Sequence, residues 1–178
     1  MNRLLIFIFS LYSLSAAAQP QIVNFRELQQ FLPQANFQDY IRGKTDGETS
    51  TMMGFTTSWA SVIYSSHPDS NKAMISIKIT DMLNIPSYMS IPPSSSTSPN
   101  QATGTGYRKT VSYGGLSVIE TYDSTLHQAK LQLTVATRFL VEINGDSVAD
   151  SSVLYSFLGK TDIDGLRKIA AGGAGGQK

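Results

Sequence analysis

Residues 52–83 constrain this chain more than any other stretch. From 73 to 83, Ile75, Ile77, Ile79 and Asp81 share one face, while Ser76, Lys78 and Thr80 share the other. A period of two with β-branched residues on the apolar side marks a half-buried strand. From 52 to 65, Phe55, Thr57, Trp59, Ser61 and Ile63 alternate with Thr56, Ser58, Ala60, Val62 and Tyr64. Both faces of that stretch can be covered, which suits a central strand. The polar run 66–72 joins the two, so the chain is committed to a sheet.

The flanks extend it. Residues 22–32 read as an amphipathic helix with Phe25, Leu28 and Leu32 on one face, capped by Asn24 with Glu27 three positions on, and stopped by Pro33. A strand is expected over 37–44, then a turn-rich link over 45–50. Residues 84–106 hold four prolines, many Ser and Thr and no charge, so a long loop is expected there, with 92–106 mobile. A hairpin follows over 107–122, in which Gly114-Gly115 supplies the positive φ of a two-residue turn. Strands over 126–135 and 138–143 come next, joined by Ala136-Thr137. Residues 147–158 form a second helix, capped by Ser147 or Asp150 and closed by a left-handed Gly159. Residues 162–169 form a short terminal turn, and the Gly-rich 170–178 a disordered tail. The expected class is α+β: one twisted antiparallel sheet of about six to seven strands, flanked by N- and C-terminal helices.

The chain opens with Arg3, an apolar run from Leu4 to Leu14 and then Ala16-Ala17-Ala18, the pattern of a secretory signal peptide cut after Ala18. Residues 19–169 then make a single domain. The apolar run is too short for a membrane span, which needs about 20 residues, so no transmembrane span is expected after cleavage. The whole chain carries 14 basic and 13 acidic residues; without Arg3 the two balance. A neutral chain lacks the footprint of a nucleic-acid binder. It has no cysteine, so no disulfides and no thiol chemistry are expected, and stability must come from packing. A periplasmic or secreted bacterial protein is the expected product.

The order of elements, together with the pattern from Gly47-Glu48-Thr49 to Asp81, resembles the PsbP-like exported proteins. That resemblance implies a twisted antiparallel sheet flanked by helices, and a non-enzymatic assembly factor or binding module. It carries no functional residue over, because no motif is shared.

Candidate chemistry is sparse. His67 and His127 are the only histidines, one in a loop and one expected on a strand face, and no spacing offers either a set of metal ligands. There is no Gly-x-Ser-x-Gly elbow. Asp81 continues an apolar stripe, so it is expected to point inward and pair with Arg138 or Arg42. Trp59, Tyr64, Tyr88 and Tyr107, with Asp81, are the candidate ligand or partner surface. The expected function is an exported non-enzymatic binding or scaffold module of the cell envelope, taking a protein partner or a small apolar ligand without a cofactor. The alternatives are a hydrolase built from scattered Ser, His and Asp residues, and an accessory subunit of an outer-membrane assembly.

Overall fold

The computed structural model describes residues 21–37, 39–52, 54–66, 73–85 and 100–172. The expected leader, His67, Tyr88, residues 86–99 and residues 173–178 lie outside these. The described chain runs α1 (Phe25–Leu28), a 3-10 turn (Gln29–Phe31), β1 (Tyr40–Met52), β2 (Phe55–Ser66), β3 (Met74–Asp81), β4 (Asn100–Thr103), β5 (Gly106–Tyr113), β6 (Leu116–Asp123), β7 (Gln128–Val135), β8 (Phe139–Asp146), α2 (Ser152–Leu158) and α3 (Ile163–Gly172). All eight strands form one open antiparallel sheet, ordered β1-β2-β3-β8-β7-β6-β5-β4. The fold class is the expected α+β, with one short N-terminal helix and two C-terminal ones.

The expected face assignments carry the core. Ala60, Val62 and Tyr64 of β2, Ile75, Ile77 and Ile79 of β3, Leu131, Leu133 and Val135 of β7, and Phe139, Val141 and Ile143 of β8 fill the inner face. Leu28 and Leu32, then Leu154, Phe157 and Leu158, then Leu166 cover that face from the N-terminal turn, α2 and α3. Phe157 sits among three rings, with centroids 5.1 Å from Phe37, 5.4 Å from Tyr40 and 4.9 Å from Tyr64. The Tyr64 hydroxyl donates to the Pro33 carbonyl at 2.8 Å, so the buried phenol is satisfied.

Several boundaries differ from expectation. Residues 45–50 are strand, not a link: β1 starts at Tyr40 and pairs with β2 as far as Met52, with one irregularity between Arg42 and Thr45. An edge strand is held by its backbone, and small inward residues suffice. Gly47 is one of them, since a side-chain carbon there would lie 2.7 Å from the Trp59 carbonyl and 3.0 Å from the Phe25 ring. Part of the expected mobile loop is also strand. Residues 100–103 form β4, exposed throughout and, among the described residues, paired with β5 alone, so no apolar alternation announces them. α1 is one turn followed by a 3-10 turn, with Asn24 accepting from the Arg26 amide at 3.0 Å. α2 begins at Ser152, whose amide donates to Asp150, and Gly159 is right-handed at φ −66° rather than left-handed. The chain winds on through Lys160 and Thr161, whose amides donate back to Phe157, and the bare Gly159 Cα leaves room for the Tyr113 hydroxyl. α3 reaches Gly172, so residues 170–172 belong to a helix rather than to a tail.

His127 is not on a strand face. It sits exposed in the turn before β7 with φ 51°. The two-residue turns divide by chemistry. Gly114 and Gly115 take φ 56° and 75° without cost, but Ala136 and Thr137 adopt φ 50° and 56° with side chains attached. Thr137, being β-branched, is the more strained. Thr137→Gly is expected to raise stability by about 0.5–1 kcal/mol, relief of strain outweighing the glycine's extra unfolded entropy; urea unfolding at constant m checks it.

Candidate functional site

Among the described residues, Trp59, Tyr64 and Tyr107 of the expected aromatic surface do not come together. Trp59 is half-buried on the outer face of β2, with the Lys78 ammonium 4.8 Å from its ring centroid. Tyr64 is fully buried on the inner face of the same strand. Tyr107 lies on the inner face of β5, opposite Tyr122. Asp81 is paired with Ser58 at one end of β3, whereas Tyr64 pairs with Ile75 toward the other.

Asp81 points inward, and its partner is Arg138; Arg42 instead donates to the Pro33 carbonyl. The guanidinium forks onto the carboxylate, Nη2 to Oδ2 at 2.7 Å and Nε to Oδ1 at 3.0 Å. The Val23 and Leu83 amides donate to the same carboxylate at 2.9 and 3.0 Å, and Arg138 Nη2 also donates to the Gln21 carbonyl at 2.6 Å. The fully buried Asp81 thus ties the chain just before α1 to the ends of β3 and β8. That is an anchor, because its lone pairs are taken by backbone and guanidinium donors.

A second buried carboxylate organises the other half of the molecule. Glu120 of β6 is 2% exposed. Its Oε1 accepts from the Tyr107 hydroxyl at 2.5 Å and from Ser151 Oγ at 2.6 Å, and its Oε2 accepts from the Tyr155 hydroxyl at 2.6 Å. Lys109 Nζ closes the cage 3.2 Å from Oε1, over the Tyr107 ring. β5 and β6 are cross-strand neighbours here, Lys109 opposite Glu120, while Ser151 and Tyr155 come from the entry to α2 and its body. Burial pushes the Glu120 carboxyl up, but hydrogen bonds from Ser151, Tyr107, Tyr155 and Lys109 outweigh it and leave the group below its ordinary value. Burial, then the Glu120 hydrogen bond and charge, push the Tyr155 phenol well up; Tyr107 is raised for similar reasons. The carboxylate therefore stays ionised and the phenols keep their protons. Chemically the cage aligns donors on an anion.

Of the expected site residues only Tyr107 belongs to this cage, and the grouping around Glu120 was not expected. Its one sequence signal is that Glu120 ends the stripe Leu116, Val118 on the core face. No family model matches this chain, and no curated protein or solved structure matches it. Among the described residues no three His, Asp or Glu side chains group as metal ligands, and no helix is long and apolar enough to cross a membrane.

The open surfaces lie elsewhere. A cleft of about 560 Å³ runs between the β5–β6 turn and the α2–α3 link, lined by Tyr113, Leu116, Lys160, Asp162 and Arg167. Arg167 is engaged there, donating to Asp164 at 2.9 Å and to the Gly114 carbonyl at 3.2 Å. Among the described residues no helix packs on the outer sheet face. Lys130 and Glu142 pair at 2.8 Å near its middle. Ile41, Ile63 and Met74 stand exposed around Ser65 toward one end, at 48%, 46% and 44%.

Proposed function

We propose that this chain is an exported, non-enzymatic binding module of the bacterial cell envelope, and that it docks a protein partner through the outer face of its sheet. The observation that carries the reading is the patch of Ile41, Ile63 and Met74, three neighbouring apolar side chains each nearly half exposed on the sheet face opposite the described helices. Apolar side chains grouped rather than scattered are the usual core of an interface. Ser61 and Ser76, next to Ile63 on β2 and β3, supply a polar rim. The likeness to PsbP-like exported proteins, which implies an assembly or binding role, belongs to the same proposal.

Pull-down from solubilised envelopes tests it. The native chain is expected to retain a stoichiometric partner that Ile63→Asp loses, with an unchanged melting temperature. A chain recovered alone, or a partner held equally by Ile63→Asp, overturns the docking face.

A further inference from the structure

The β1–β2 hairpin reaches beyond the rest of the sheet. β3 last pairs with β2 at Ser58, yet β1 and β2 stay paired through Ser50–Thr57, Thr51–Thr56 and Met52–Phe55. Gly54, at φ 83°, lies at the end of the finger, and among the described residues no atom beyond its chain neighbours would meet a side chain there. The finger is graded along its length. At its tip Met52 and Phe55 are 72% and 41% exposed and stand on the outer side. Behind them comes a collar of hydroxyls from Ser50, Thr51, Thr56 and Thr57, two of which (Thr51 and Thr56) bond each other at 2.9 Å. Behind the collar sits Trp59, with Lys78 over its ring and Glu48 opposite it. No charged residue lies between Glu48 and the end of β2 in sequence.

We infer that this hairpin is a membrane-surface probe, whose tip enters the acyl boundary of a phospholipid leaflet while Trp59 and Lys78 rest at the headgroups. Each tier matches the layer it would meet. Apolar side chains of interfacial segments enter about 5–10 Å deep. Trp59 is four residues behind Phe55, about 13 Å at roughly 3.3 Å per residue. That is headgroup depth, where Trp is favoured and a lysine can reach phosphate. A protein groove would explain the apolar tip but not the graded collar and belt. This inference is independent of the docking patch at Ile63, which lies farther down β2.

The chain's only tryptophan reports on its own insertion. Full-length chain and its Met52→Ser/Phe55→Ser variant are mixed with phosphatidylcholine vesicles containing some phosphatidylglycerol. Any contribution of the apolar run from Leu4 to Leu14 is then common to both. The native chain is expected to sediment with vesicles, to shift its emission to the blue and to be quenched by shallow brominated lipids. The variant is expected to partition at least tenfold less and to lose the blue shift, with an unchanged melting temperature. Equal partition of the two chains with an equal blue shift and equal quenching of Trp59 overturns the inference. So does a native chain that ignores vesicles but holds a protein partner the variant loses.

Discussion

Arg138→Met is expected to cost about 3–5 kcal/mol, because it strands the fully buried Asp81 without its counter-ion. The two amides from Val23 and Leu83 remain on the carboxylate, but they cannot replace a forked guanidinium. The loss also frees the Gln21 carbonyl, so the chain before α1 loosens. Guanidinium unfolding measures the stability, and amide exchange at Val23 measures the loosening. The double change Asp81→Leu/Arg138→Met is expected to recover most of the stability while leaving Val23 unprotected, since an apolar pair removes the uncompensated charge but accepts no amide. If Arg138→Met alone melted like the native chain, the anchor would be idle.

Glu120→Gln keeps the shape of the cage and removes its charge. About 2–3 kcal/mol is expected to go, because hydrogen bonds to an ion are replaced by weaker ones and one amide edge now faces phenol donors. The pH dependence follows with a definite sign. In the folded state the Glu120 carboxyl lies below its ordinary 4.5. Its contribution is therefore full above that value and is lost as pH falls through the folded pKa. Tyr155 and Tyr107 lie above their ordinary 10.0 in the folded state. Above pH 10 the unfolded chain releases those protons first, so stability falls as pH climbs. Glu120→Gln should flatten the acid limb of a stability profile, and both phenols should then titrate nearer their ordinary range.

Much of the fold was legible because alternation is a local signal. Ile75, Ile77, Ile79 and Asp81 sit where their spacing placed them, and Asp81 found one of the two arginines expected. The stripe Ala129, Leu131, Leu133, Val135 is buried as read. β4 was not legible, because a strand exposed on both sides and held chiefly by its backbone ladder to β5 leaves no apolar pattern in its side chains. The same holds for the end of β1, where Glu48, Thr49 and Ser50 read as a turn yet pair with β2. The Glu120 cage was illegible for another reason. Its five members come from β5, β6, the residue before α2 and α2 itself, and only the packed chain brings Tyr107 within reach of Ser151 at 3.1 Å. The aromatic candidates failed to converge because residues 59 and 64 differ by an odd number, and a strand's parity sends such residues to opposite sides.

In strand order the molecule is two sequence-contiguous meanders, β1 to β3 and β4 to β8, joined where β3 lies against β8. Every other neighbouring pair is a hairpin that can zip from its own turn. The β3–β8 seam has no such nucleus: Met74 must find Asp146 and Asp81 must find Phe139, 72 and 58 residues further along the chain. Closing that gap costs loop entropy before any contact returns it. The slow step of folding is therefore expected at this seam, one end of which the Asp81–Arg138 pair fastens.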